Sequence, residues 1–154
     1  MSRHTIRVRY YEDVPEGETF ESIGRTITDA DILAYAGVSG DFARLHTDEA
    51  YMKTTPFGGR IAHGLLTAAI SSGLAQAYFN EILVLAHLES TFKFERPVRP
   101  GHTIRILVTA GARRETKDPG RGIIKFTREI LNQRDERTSL GATTLMIGRR
   151  PASA

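Results

Sequence analysis

The sequence predicts an α+β domain in which a curved antiparallel β-sheet wraps around one long central α-helix. Three observations predict this class. The chain has 154 residues, which is the size of one domain. The segment 64–78 is apolar on nearly every helical face, so we expect it to be buried on most sides. Later segments alternate apolar and polar residues as half-buried strands do, and a sheet of such strands can curl around the helix.

The N-terminal half is predicted to hold one strand and two short helices. The segment 19–27 has the pattern of a strand. Residues 28–31, which read TDAD, resemble a capping box and predict a helix that ends near Gly37. A polar loop over 39–46 and a second helix that begins at about Thr47 should follow. The turn before the central helix is predicted from Pro56, Gly58 and Gly59.

The C-terminal half is predicted to form a four-stranded antiparallel meander. Its strands are marked by Leu88, Phe92 and Phe94, by Ile104, Ile106 and Val108, by Ile124, Phe126 and Ile130, and by the segment 138–147. Turns are expected at 97–101 and 117–120. We treat residues 1–154 as a single domain with its core at about 19–149, a short N-terminal arm and a basic C-terminal tail. One sheet around one helix leaves its edges unpaired, so we expect a homodimer or a larger homo-oligomer.

The composition excludes several classes of protein. The absence of cysteine rules out disulfide scaffolds, thiolate zinc sites and a cysteine nucleophile, and it favours a reducing compartment. The net charge is only +3, and no basic stripe interleaved with aromatic residues indicates nucleic-acid binding. No signal peptide or apolar run of membrane-spanning length is recognised. We therefore expect a cytoplasmic protein without a membrane or nucleic-acid partner.

Asp41 and His46 are the candidate catalytic pair. Five residues apart on a helix they would point about 140° away from each other, whereas a loop that doubles back can bring both to one small volume. A carboxylate and an imidazole that contact one water form a general acid/base pair. The two side chains could equally serve the loop's own hydrogen bonds. The remaining histidines outside this region are expected to have structural or exposed positions: His4, His87 and His102.

Two stretches of sequence resemble a known family. Residues 39–46 read SGDFARLH and residues 57–66 read FGGRIAHGLL. Together they resemble the hydration motif of the MaoC-like, (R)-specific enoyl-CoA hydratase family. Residues 96–101, RPVRPG, resemble that family's turn between strands, and the resemblance extends over about 19–147. It implies the hot-dog fold, in which an antiparallel sheet wraps around one central helix.

The resemblance implies a hydro-lyase without a cofactor, which adds water reversibly to a 2-enoyl thioester of coenzyme A or acyl-carrier protein. By position, Asp41 and His46 would activate the water. The backbone N–H of Gly64 would bind the thioester oxygen, since a helix N-terminus stabilises negative charge. The supporting positions would be Ser72 and His63, and the candidate substrate contacts Arg44, Phe57 and Ile61. No metal is expected, although the residue types of Asp41, His46 and His63 would suit zinc or iron.

The first motif departs from the family's usual Asp-Phe-Asn-Pro-Leu-His, because Ala43 and Arg44 replace the Asn and the Pro. Two alternatives therefore stay open. One is a hot-dog acyl-CoA thioesterase, although 64–78 contains no Asp or Glu that could act from the helix. The other is a non-catalytic acyl-thioester-binding subunit of a dehydratase. Four basic residues are candidates for binding phosphate groups or are solvated charges: Lys93, Arg96, Arg99 and Arg121.

Overall fold

The computed structural model describes residues 8–151. His4 and the start of the predicted N-terminal arm lie outside this range. Within the range, no helix combines the length and the apolar character that a membrane crossing requires.

One antiparallel sheet of six strands carries the fold. Its strands are β1 (Thr19–Glu21), β2 (Arg25–Thr26), β3 (Val84–Phe94), β4 (Thr103–Glu115), β5 (Arg121–Asn132) and β6 (Arg137–Gly148). The order is β1-β4-β5-β6-β3, and β2 also pairs with β4. The predicted alternation in β4 and β5 is confirmed, because their inward side chains form the buried core: Ile104, Ile106, Val108, Ile124, Phe126 and Ile130.

The predicted four-strand meander is wrong at its first strand. β3 pairs with β6 rather than with β4. The connection from β3 to β4 contains Pro97 and Pro100, which lack the N–H that a strand ladder needs. Residues 95–102 therefore form a crossing segment, and only β4, β5 and β6 follow one another as hairpins.

The predicted strand over 19–27 is divided into β1 and β2. Ser22 causes the interruption, because its hydroxyl accepts a hydrogen bond from the Ile106 N–H at 3.0 Å in place of a main-chain carbonyl. Ile23 then turns outward and is exposed. The ladder with β4 resumes at Arg25.

The predicted central helix is present as α4 (Gly64–Leu74), and a further turn, α5 (Gln76–Phe79), follows it. Leu66 and Ile70 pack against the inner face of the sheet. The expectation that the helix is buried on most sides is only partly met, because Leu65 is 60% exposed. Ala69 and Gly73 continue the same exposed stripe at helical spacing.

Three helices precede α4: α1 (Asp29–Ser39), α2 (Arg44–Thr47) and α3 (Glu49–Lys53). The capping box of α1 is confirmed, since the Asp31 N–H donates to Thr28 Oγ1 at 3.1 Å and the Thr28 N–H donates to Asp31 Oδ2 at 2.9 Å. α1 passes Gly37 and ends at Gly40, whose φ of 77° is left-handed. The loop predicted over 39–46 contains α2, which the polar sequence does not indicate.

The start of the basic C-terminal tail forms ion pairs with the N-terminal region. A single 3₁₀ turn covers Tyr11–Asp13. Arg149 Nε donates to Glu12 at 2.7 Å, and Arg150 Nη2 donates to Asp13 at 2.6 Å. The two ends of the described chain therefore lie against each other.

Candidate active site

The turn after α1 brings Asp41 and His46 together. Gly40 ends the helix, and Asp41 Oδ1 accepts the Ala43 N–H at 3.1 Å, which orients the carboxylate. Its other oxygen, Oδ2, lies 3.9 Å from His46 Nε2. That distance is longer than a direct hydrogen bond, and it allows one water to contact both atoms. The Asp41 side chain is 51% exposed, and that of His46 is buried.

The protonation state of His46 follows from its hydrogen bond. Its Nδ1 lies 2.8 Å from the carbonyl oxygen of Ile61, and a carbonyl can only accept. Nδ1 therefore carries the proton, and Nε2 presents its lone pair towards Asp41. Burial lowers the pKa of His46, and the neighbouring His63 lowers it further. The imidazole is consequently a neutral base at pH 7.

His63 supports both members of the pair. Its ring stacks on that of His46 with 3.6 Å between centroids. Its Nε2 lies 2.9 Å from the main-chain oxygen of Asp41 and so donates to it. Its Nδ1 is buried, with no hydrogen-bond partner among residues 8–151. These contacts favour the positioning role that the resemblance implies for this residue.

A cavity of about 420 Å³ opens beside His46 at the N-terminus of α4. The ring of Phe94 covers Gly64, and a Cβ placed on Gly64 would lie 2.9 Å from that ring. The first amides of a helix have no intrahelical acceptor, so the N–H groups here are free for a ligand. The other residues that line the cavity include Leu45, Phe57, Ile61, Thr67, Glu95, Arg96, Val98 and Thr138.

Of the four remaining predicted site residues, two line the cavity and two do not. Phe57 and Ile61 line the cavity as expected. Arg44 does not, because it pairs with Asp48 at 2.9 Å and lies over the ring of Tyr51. Ser72 does not line this cavity either: its hydroxyl donates to the Ala68 carbonyl and accepts from Arg128 at 2.8 Å.

Sequence reasoning missed several residues of the cavity wall. The alternation of Phe92 and Phe94 predicts the strand face on which Phe94 lies. It does not predict that Phe94 lines the cavity. Glu95 is not singled out by any motif, yet it faces the cavity while Arg137 Nε donates to it at 2.9 Å. The ion pair with Arg137 lowers the pKa of Glu95.

Three ligand atoms could hold a cation in this region. One atom each of Asp41, His46 and His63 lies within 4.8 Å of the others. These residues form the candidate metal site found within residues 8–151. They are the same residues as the acid/base pair and His63, which positions it.

The sheet order, the helix packed on the sheet and the cavity at the helix N-terminus define a hot-dog domain. A Mycobacterium tuberculosis protein with a double hot-dog fold superposes with a TM-score of 0.82 over 96% of this chain and 46% of that chain, at 20% identity. This similarity identifies the fold, and relatives of higher sequence identity identify the family.

The sequence profile described as "MaoC like domain" matches residues 12–129. An (R)-specific enoyl-CoA hydratase from Rhodospirillum rubrum is 36% identical over 109 residues, which is 71% of this chain and 74% of that protein. The crystal structure of a monoamine oxidase regulatory protein from Archaeoglobus fulgidus superposes with a TM-score of 0.89 at 30% identity, over 94% of this chain and 97% of that one. The chain belongs to the MaoC-like dehydratase family.

Proposed function

We propose that this protein is an (R)-specific enoyl-CoA hydratase, equally a 3-hydroxyacyl-thioester dehydratase in the reverse direction. One observation carries the proposal: the unprotonated Nε2 of His46 lies 3.9 Å from the carboxylate of Asp41, and His46 lines a cavity that reaches Gly64 at the N-terminus of α4. The 36% identity to a hydratase of the same stated activity supports it.

The proposed reaction uses a water held between Asp41 and His46. The water oxygen bonds to C3 of the enoyl thioester while one of the two side chains accepts its proton. The electron pair of the double bond moves onto the thioester oxygen, where the Gly64 N–H stabilises the enolate. A donor of this kind is worth about 3 kcal/mol in the transition state. The protonated member then returns a proton to C2, so that no cofactor is consumed.

The basic side chains near the cavity support a phosphate-bearing carrier. Arg96 and Pro97 line the first cavity and also a neighbouring one of about 370 Å³. That second opening adds Arg99 and His102, together with Arg134, which pairs with Glu136 of the same opening at 2.9 Å. Coenzyme A and the prosthetic arm of acyl-carrier protein both carry phosphate, so both are candidate carriers. Lys93 and Arg121 are instead paired with Glu95 and Asp118.

We further propose that the protein is a homodimer. β3 pairs with β6 on one side, and its other edge has no strand beside it within residues 8–151. Leu85 and Leu88 on this strand are 51% and 46% exposed, and Leu65 of α4 is exposed as well. A second copy of the chain could cover these side chains and pair with the open edge.

The proposed function is tested with a panel of 2-enoyl-CoA esters. Loss of the conjugated double bond is followed by ultraviolet absorbance, and the product is analysed for chirality. We expect (R)-3-hydroxyacyl-CoA. Release of free thiol without loss of the double bond, or binding of the ester with neither change, would contradict the proposal.

The thioesterase alternative depends on Glu95. It is the acidic residue among those that line the first cavity, and it directly follows β3. Its carboxylate is bound by Arg137, which lowers its pKa and weakens it as a base. The arrangement therefore favours hydration over thioester hydrolysis.

A further inference from the structure

A buried arginine lies at the opposite end of α4 from the candidate active site. Arg128 on β5 is 2% exposed. Its Nη1 donates to the hydroxyls of Ser71 and Ser72 at 3.1 and 2.8 Å, and its Nη2 donates to Thr143 Oγ1 at 2.7 Å. The guanidinium is thus held in a fixed orientation by one helix and one strand.

No Asp or Glu side chain neutralises this charge. Every Asp and Glu side chain of the sequence lies within residues 8–151, and none places an oxygen within 4.0 Å of Arg128. Burial lowers the pKa of Arg128, and no ion pair opposes that effect. Because arginine nevertheless keeps its proton at neutral pH, the fold contains a buried positive charge that contacts three hydroxyl dipoles and lies 5.7 Å from the centre of the Phe92 ring. Such a charge is costly unless something pairs with it.

A second cavity of about 360 Å³ lies against Arg128. Its wall combines apolar and polar side chains: Phe79, Ile82, Val84 and Leu145 beside Ser72, Gln76, Asn80, His87 and Thr143. A guanidinium has five N–H donors, and the hydroxyls use three of those of Arg128. The other two have no acceptor among the described residues. Four apolar side chains beside one fixed cation suit a ligand that has a carbon chain and one negative charge.

We infer that Arg128 and this cavity form a binding site for a carboxylate group. A guanidinium matches the two oxygens of a carboxylate and its single charge. A phosphate dianion carries a second negative charge that the single guanidinium does not balance. The carboxylate can come from a free carboxylic acid or from the far end of a dicarboxylic acyl thioester.

The second source rests on the proposed function. Gly64 and Ser72 lie eight residues apart on α4, which is about 12 Å at 1.5 Å per residue. A thioester bound at the helix N-terminus and a carboxylate bound at Arg128 would then be the two ends of one elongated acyl group. The protein would select dicarboxylic substrates and reject their neutral counterparts.

The first experiment measures binding of a free carboxylate by calorimetry. We expect the unmodified protein to bind glutarate at least tenfold more tightly than glutaramide, which has the same shape without the charge. Arg128→Met should abolish this preference, and Arg114→Met, at an exposed position on β4, should keep it. Equal binding of glutarate and glutaramide by the unmodified protein would overturn the proposal that a free carboxylic acid binds at Arg128. This comparison needs no variant.

The second experiment compares a 2-enoyl-CoA ester that ends in a carboxylate with its methyl ester. We expect kcat/KM at least tenfold higher for the acid, and Arg128→Met should remove or reverse this ratio. Glutarate preference without a thioester preference would identify a free acid as the ligand and overturn the substrate assignment. Glutarate preference in a protein that hydrates no thioester, crotonyl-CoA included, would overturn the proposed function while the carboxylate site stands. If neither preference is found, or if both persist in Arg128→Met, the inference is wrong.

Discussion

The imidazole of His63 stacks on that of His46 at 3.6 Å with 25° between the ring planes. The same residue directly precedes α4 and donates to the Asp41 carbonyl. One side chain therefore fixes the base, the carboxylate and the start of the helix relative to one another. The geometry of the pair depends on His63 even though no chemistry is assigned to it.

The pH profile of turnover should reflect this contact. Burial and His63 both lower the pKa of His46, so the folded enzyme keeps its neutral base to a pH below the ordinary histidine value of about 6.5. The acid limb of the pH profile of kcat/KM should therefore lie below that ordinary histidine value. His63→Phe keeps a ring in place but removes the imidazole that opposes protonation of His46. The acid limb should then move to higher pH, and an unchanged limb would show that His63 does not act on His46.

Stability should follow the same titration. His46 and His102 both have pKa values lowered chiefly by burial. The unfolded chain therefore binds protons more readily than the folded protein does. The contribution of the two neutral histidines to the free energy of unfolding is complete above about pH 6.5, and it is lost as the pH falls through their folded-state pKa values. Denaturant titrations between pH 7.5 and about 5 should show this loss. The double variant His46→Gln/His102→Gln should lose less stability over the same interval, and an equal loss would contradict the assignment.

Replacement of either member of the pair should remove most of the activity. Asp41→Asn and His46→Gln should each lower kcat by about 10²- to 10⁴-fold, which is the usual contribution of general acid/base catalysis. Turnover of crotonyl-CoA is the measurement, and circular dichroism verifies the fold. Arg44→Met is the matched control in the same segment, since Arg44 pairs with Asp48 outside the cavity. A wild-type rate in Asp41→Asn or His46→Gln would refute the role given to that residue.

Gly64→Ala should destabilise the protein. The new methyl would lie 2.9 Å from the Phe94 ring, and overpacking of this kind costs about 1–3 kcal/mol. Gly37→Ala in α1 is the control, because a methyl added there would meet no atom within 4 Å. It should stabilise by about 0.4–1 kcal/mol. Urea denaturation measures both, and Phe94→Leu should relieve part of the Gly64→Ala cost if contact with the ring is the cause.

Sedimentation velocity should give a species of twice the 17.1 kDa chain mass at micromolar concentration. Leu88→Lys on β3 should shift the protein towards monomer, since it places a charge at the proposed interface. Ile23→Lys alters an exposed apolar residue between β1 and β2, away from the proposed interface, and should leave the dimer intact. A wild-type monomer would argue against the interface.

The features that sequence predicts well are local. The TDAD box at 28–31 and the turn at 117–120 depend on residues a few positions apart, and both are present. The alternation in β4 and β5 also specifies its own buried face, because side chains in a strand point to alternate sides. The meeting of Asp41 with His46 is predicted from a loop geometry, although a helical turn at Arg44–Thr47 produces it.

The features that sequence missed depend on distant partners. The pairing of β3 with β6 is decided across two intervening strands, and no pattern within β3 specifies it. Arg128 has the sequence context of an ordinary polar residue of a strand. Its burial results from Ser71 and Ser72 on α4 and Thr143 on β6, which the fold alone brings together.

The position of β6 between β5 and β3 has a consequence for synthesis of the protein. A ribosome releases β3 before β6, so the nascent chain must carry β3 without its partner while β4 and β5 emerge and form their hairpin. During this interval Leu85 and Leu88 lie on a strand with both edges open. The sheet closes only when β6 enters between its neighbours, so completion of the fold waits for translation of Arg137–Gly148.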